Sequence, residues 1–240
     1  MVKVLNTNKI KPVILFLFLI TILFLITILL SGCGQATEQE QAPKKETETQ
    51  KTEQLPPSPV EKIPAEERNT YDNVVIGARG EVQRRVMYDA TYRQIDYPGG
   101  DVPSEVGACT DVVVRAYRNA GIDLQQLVHE DMQANFRQYP QNWGLKGTDS
   151  NIDHRRVPNL VRFFQRHGQT LTTSTDEDQL TEWQWGDVVF WRFSNGLDHC
   201  GIISDRTNED RIPLVIHNAG MAREEDCLNR WEITGHYRYP

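Results

Sequence analysis

At Gly168 the spacing of apolar residues changes period, and that change limits the folds open to the chain more than any other feature. Upstream, apolar positions recur every three to four residues, as a helix with one buried face requires. Val74, Ala78, Val82 and Val86 mark a helix within Tyr71 to Tyr88. Cys109, Val112, Val113, Ala116, Tyr117 and Ala120 mark a second, stopped by Gly121. Leu124, Leu127, Val128, Met132 and Phe136 predict a third from Leu124 to Tyr139, and Leu160, Phe163 and Phe164 a fourth from Val157 to His167. Downstream, short apolar runs are separated by turn residues: Asp187 to Phe193, Cys200 to Ser204, Pro213 to His217 and Trp231 to Tyr237 read as strands. Helices first and a small antiparallel sheet afterwards predict an α+β domain.

The chain before that domain has a different grammar. Lys3, Lys9 and Lys11 precede an apolar run from Val13 to Leu30, followed by Leu30-Ser31-Gly32-Cys33. This is the layout of a signal peptide whose processing leaves Cys33 acylated at the new N-terminus, and a spanning helix would have no use for Cys at that point. A lipid-anchored, extracytoplasmic protein is therefore expected, with residues 1–33 as leader. Residues 34–69 are rich in Glu, Gln, Lys, Thr and Pro and too poor in apolar side chains to offset their ordering entropy, so a disordered tether is expected. A flexible coil of about 36 residues spans roughly 35 Å on average and about 120 Å fully stretched. Residues 70–240 then form one domain. Loss of the three leader lysines takes the formal charge from −7 to −10, which argues against a nucleic-acid partner. A monomer is expected.

Four cysteines are present, and with Cys33 assigned to lipid an odd number is left in an oxidising compartment. Cys109 opens a helix, where unpaired backbone N–H groups and the positive end of the dipole stabilise a thiolate. A Cys nucleophile also needs an imidazole to take its proton and return it to a leaving amine. Of the six histidines, His129 and His167 sit on helices in polar or C-terminal settings, and His236 lies in a Tyr-rich strand near the chain end. His199 and His217 each flank a short strand. A hairpin turn near Asn208 would set residue 199 opposite 217, so that His217 orients His199 as a triad's third member does. A slip of one residue would present Asn218 in its place. Alternation sends Cys200 to the face opposite His199, into the core. Whether Cys200 and Cys227 form a disulfide stays open. Cys109, His199 and His217 could hold zinc, but the chain lacks the paired Cys-x-x-Cys spacing of structural zinc sites, so no metal or cofactor is expected.

In order, Tyr97 with Gly99-Gly100, Cys109 at a helix start, Gly186-Asp187-Val188-Val189-Phe190-Trp191, His199-Cys200-Gly201-Ile202 and Val215-Ile216-His217-Asn218 resemble the NlpC/p60 superfamily of papain-like cysteine hydrolases. Residues 97–103, 109–125, 151–160 and 233–239 more closely resemble the domain-of-unknown-function family 1287 of exported bacterial proteins. The resemblance implies a papain-like fold with Cys109 as nucleophile, His199 as base and His217 as orienting residue. It also implies Tyr97 beside the thiol, near the oxyanion or substrate, and the Cys109 backbone N–H as an oxyanion donor. Ala108 departs from the acid that the superfamily usually has before its Cys, and residues 151–160 have no counterpart in the minimal fold. In that insertion, Asp153 is expected to cap the helix that follows and Arg155 and Arg156 to form surface salt bridges. The competing role is substrate binding, with Arg155 or Arg156 on a carboxylate of a peptide stem and His154 as a contact.

The expected activity is hydrolysis of an amide bond through a thioester, with the peptide part of peptidoglycan as substrate because of the chain's place near the membrane. The alternative is a catalytically inactive module on the same fold that binds wall fragments or a protein.

Overall fold

The computed structural model describes residues 55–240. Cys33, the leader and most of the expected tether lie outside the described residues. Among the described residues no helix is long and apolar enough to cross a membrane.

Among the described residues four α-helices precede a six-stranded antiparallel sheet, so the α+β reading holds. The helices are α1 (Thr70–Gln83), α2 (Cys109–Asn119), α3 (Leu124–Asn135) and α4 (Val157–His167). Asn69 caps α1: its side chain accepts from the Asp72 N–H, and the Asp72 carboxylate accepts from the Asn69 N–H. The helix expected to reach Tyr88 ends at Gln83, because Arg85 turns the backbone to positive φ and Val86 drops into the core. Gly77 lets α1 and α2 pack closely, since a Cβ there would lie 2.6 Å from the Asn119 Cβ and 2.9 Å from the Ala116 Cα. The expected helix from Leu124 to Tyr139 is α up to Asn135 and then a 3-10 turn, Phe136–Gln138.

The strands β1 (Met87–Tyr88) and β2 (Val106–Gly107) form a small parallel pair that leads into α2. The main sheet is built from β3 (Gln169–Thr170), β4 (Val188–Arg192), β5 (Asp198–Thr207), β6 (Pro213–Asn218), β7 (Ala222–Glu225) and β8 (Glu232–Arg238) in the order β3-β8-β4-β5-β6-β7. Its strands bury opposite faces in two clusters. Val188, Phe190, Cys200, Ile202 and Ile216 join Cys109, Val112, Val113 and the aromatic side of α4. Val189, Trp191, Ile203, Val215, Cys227 and Leu228 pack on the other face. Cys200 and Cys227 thus belong to different clusters, and both are free thiols.

Packing starts before Thr70. Val60 is fully buried, and the Ser58 hydroxyl and Val60 N–H both donate to the Asp205 carboxylate. The expected tether boundary at residue 69 is therefore moved back to about Ser58: one apolar side chain and two hydrogen bonds anchor a stretch whose composition reads as disordered.

Candidate active site

Cys109 is the first residue of α2. The Asp111 carboxylate accepts from the Ala108 N–H at 2.6 Å and so closes the helix start around the thiol-bearing residue. That carboxylate is held in turn by the buried Arg155 guanidinium, at 2.9 Å to Nε. The Cys109 thiol is pulled well below its ordinary range, most of all by the Cys200 thiol, against burial, and further by the His199 ring and the Cys200 backbone N–H. Burial, with the Cys109 thiol second, pushes Cys200 the opposite way. Of the two thiols, Cys109 is the one whose surroundings favour the thiolate.

His199, His217 and Glu225 share one face of three neighbouring strands. In the β5–β6 ladder Gly201 is opposite His217, and in the β6–β7 ladder Val215 is opposite Glu225. Each step from His199 to His217 to Glu225 is therefore a diagonal of two residues, which preserves the face. The expected pairing of 199 with 217 is corrected by that two-residue offset. A register shift between Ile203 and Thr207 takes the turn past Asn208. The histidines still meet: His199 Nε2 lies 2.9 Å from His217 Nδ1, and His217 Nε2 lies 3.0 Å from Glu225 Oε1. Arg230 donates to the same carboxylate oxygen at 2.7 Å. Gly201 leaves the room for this, because a Cβ there would stand 2.8 Å from the Val215 Cγ1 and 3.1 Å from the His217 Cβ. Trp191 and Trp231 wall the imidazoles in.

Residues 75–239 match the family described as Domain of unknown function (DUF1287). The chain belongs to this family. Uncharacterized protein YijF of Escherichia coli (strain K12) is 54% identical over 172 residues, which cover 71% of this chain and 82% of that protein.

Several site candidates take other places in the DUF1287 domain. Tyr97 faces α3, its hydroxyl 3.5 Å from Glu130 and its ring edge-on to His129. The tyrosine that senses the thiols is Tyr88, whose hydroxyl is pushed up by burial and then by Cys109, Cys200 and Asp111. It is half-exposed and adjoins β2 at Gly107. Asn218 does not orient a ring: it is fully buried and its amide donates to the carbonyls of Val86 and Gly107, fixing the approach to α2. Four of the five Arg155 N–H groups are taken by Asp111, the Thr91 carbonyl and the Asp89 carbonyl, which leaves no pair of donors for a bidentate grip on a substrate carboxylate. Its ion pair is buried, so the expected surface salt bridge is corrected too. His154 is buried, and burial followed by Arg155 and Arg118 pushes its pKa down to about 3, which suits packing better than contact with solvent-borne substrate. Asp153 does not cap α4, whose N-cap is Arg156; its carboxylate accepts from the Asp149 N–H and meets His129 Nδ1 at 3.0 Å.

Glu225 escaped sequence reading because Arg223-Glu224-Glu225 has no apolar residue to announce a strand. The available signal was the Ala222-to-Glu225 spacing after a turn at Gly220. His217, Glu225 and Cys227 also bring three donor atoms within 4.8 Å of one another, a set chemically suited to a transition-metal ion. Arg230 on the Glu225 carboxylate competes with any cation there. A groove of about 390 Å³ borders the start of β5 at Asp198 and is lined by Arg162, Gln165 and Arg192 among others. Cys109, His199 and His217 do not line it, and Cys109 itself is 4% exposed.

Proposed function

We propose that this chain is a papain-like cysteine hydrolase of the NlpC/p60 type that cleaves an amide bond, in the peptide part of peptidoglycan, from an extracytoplasmic position to which Cys33 anchors it by lipid. The observation that carries the reading is the Cys109 thiol at a helix start, favoured as a thiolate, with His199 beside it and His217 behind His199. His199 Nε2 is engaged by His217, which leaves Nδ1 for the thiol. In the proposed reaction the Cys109 thiolate attacks the amide carbon, and the first-turn N–H groups of α2 receive the oxyanion. The His199 imidazolium gives its proton to the departing amine. Water then attacks the thioester, with His199 as base, and releases the acid.

The competing reading, an inactive binding module, draws support from the low exposure of Cys109, which leaves little room for a scissile bond without movement of neighbours such as Tyr88. Wall fragments exposed to the protein and analysed by mass spectrometry separate the two. The hydrolase reading expects new amine and carboxyl ends with the parent chain and none with Cys109→Ala. Equal digestion by both proteins, or binding without any cleavage, would remove it.

A further inference from the structure

We propose that Glu225 is a positioning residue which, through His217, fixes the protonation pattern that makes His199 Nδ1 a base toward Cys109. This deepens the hydrolase reading above and rests on it for its catalytic consequence, while the tautomer itself can be measured without a substrate.

The protonation pattern follows from what each group can donate. An ionised carboxylate only accepts, and Glu225 carries the Arg230 guanidinium on the same oxygen at 2.7 Å, the geometry of an ion pair. His217 Nε2, 3.0 Å away, must therefore carry a hydrogen. His217 is buried, walled by Trp191 and Trp231 and in contact with a second imidazole, a setting that favours its neutral form, in which Nδ1 is then a bare acceptor. His199 Nε2, 2.9 Å from that nitrogen, must be the donor. A neutral His199 with its hydrogen on Nε2 has its lone pair on Nδ1. When the Cys109 S–H proton moves to Nδ1, the sulfur keeps the bonding pair, and the imidazolium still donates from Nε2 to His217. No hydrogen bond in the chain has to reverse.

The opposite pattern is unproductive. A hydrogen on His217 Nδ1 would face His199 Nε2, force that nitrogen to accept, and put the hydrogen of a neutral His199 on Nδ1. The titratable and charged groups around His217 are His199 on β5, Arg223 opposite it on β7, Glu225, and Cys227 and Arg230 just beyond. Glu225 is the one that accepts from Nε2.

The test uses the full chain in detergent, labelled with nitrogen-15 in its histidines, as parent, Glu225→Gln and Glu225→Asp. Nitrogen chemical shifts should show His217 neutral with its hydrogen on Nε2 in the parent, a mixture of both tautomers in Glu225→Gln, and return toward the parent in Glu225→Asp. The pH midpoint of Cys109 alkylation by iodoacetamide should rise in Glu225→Gln by about one unit. With a cleavable wall fragment, kcat should fall about 10- to 100-fold with KM within about twofold. The proposal is overturned if parent His217 carries its hydrogen on Nδ1, or if Glu225→Gln folds and leaves both the tautomer and the alkylation midpoint unchanged. Should Glu225→Gln fail to fold, the parent and Glu225→Asp spectra still decide the hydrogen's position. The predicted tautomers in a protein that cleaves nothing would support the role of Glu225 and remove the hydrolase reading alone.

Discussion

Cys109 and Cys200 are two buried thiols with opposite titration, and the difference can be read by alkylation. Cys109 is lowered by Cys200, His199 and a backbone N–H, whereas Cys200 is raised by burial and by Cys109. A thiol whose pKa is depressed keeps its thiolate, and so its reactivity, as pH falls below the ordinary range near 8.5, and loses it only on passing the lowered value. Cys109 is therefore expected to react with iodoacetamide at pH 7 at least about 10-fold faster than Cys200 or Cys227, as peptide mass spectrometry would count. Equal labelling of all three would contradict the thiolate assignment. Gly201 offers a second residue-scale prediction. The Cβ of Gly201→Ala meets the Ile216 carbonyl oxygen at 2.9 Å as well as two side chains, so a destabilisation of about 1–3 kcal/mol in urea unfolding is expected. The placement of Cys109 at a helix start and of His199 and His217 on neighbouring strands was legible in sequence because a helix start and two strand flanks are local features. Tyr97, Arg155 and His154 were misplaced because their partners, Glu130, Asp111 and a buried interior, lie far away in sequence.

Among the elements, α4 matched its expected bounds because Pro158 in its first turn and Gly168 after its end are a local start and a local stop signal. The hairpin of β5 and β6 was legible in existence but not in register, since periodicity cannot count the two extra residues that β5 carries between Ile203 and Thr207. β7 was missed altogether: of its two buried residues Ala222 is small and Glu224 is held by ion pairs with Arg79 and Arg206, so its inward face shows no apolar run. The start of α2 depends on an element from a distant part of the chain. The turn Asp153–Arg155 delivers Arg155 to Asp111, while Asn218 at the end of β6 ties down Gly107. Arg155→Met would leave the Asp111 carboxylate buried without its cation, a loss of about 3–5 kcal/mol. The expected result is a lowered urea midpoint together with slower Cys109 alkylation, because the helix start loses its brace. An unchanged midpoint would mean that Asp111 finds solvent and the brace is dispensable.

For the molecule as a whole, Arg79 is the junction. From α1 it donates to Glu224 on β7, to Asp205 on β5 and to Ser58 in the segment before α1, so one buried guanidinium joins the chain's first described residues to the far edge of the sheet. Burial pushes the Asp205 pKa up, but Ser58, Arg79 and the Val60 N–H together bring it below its ordinary value. A carboxylate whose folded pKa is depressed contributes stability that is present above its unfolded value near 3.9 and is lost as pH falls through the folded value. Two chains, one begun at Leu55 and one at Asn69, which keeps the cap of α1, isolate what the leading segment adds. The shorter chain leaves a donor of Arg79 and an oxygen of Asp205 without their partners and is expected to be less stable by about 1–3 kcal/mol at pH 7. That gap should narrow below about pH 4, because Asp205 protonates in both chains and its bonds to Ser58 and Val60 cease to discriminate between them. Urea unfolding of both chains from pH 7 to pH 3 measures the gap directly. A gap that stays constant over that range would assign it to Val60 packing instead of the Asp205 hydrogen bonds, and no gap at all would return residues 58–68 to the tether.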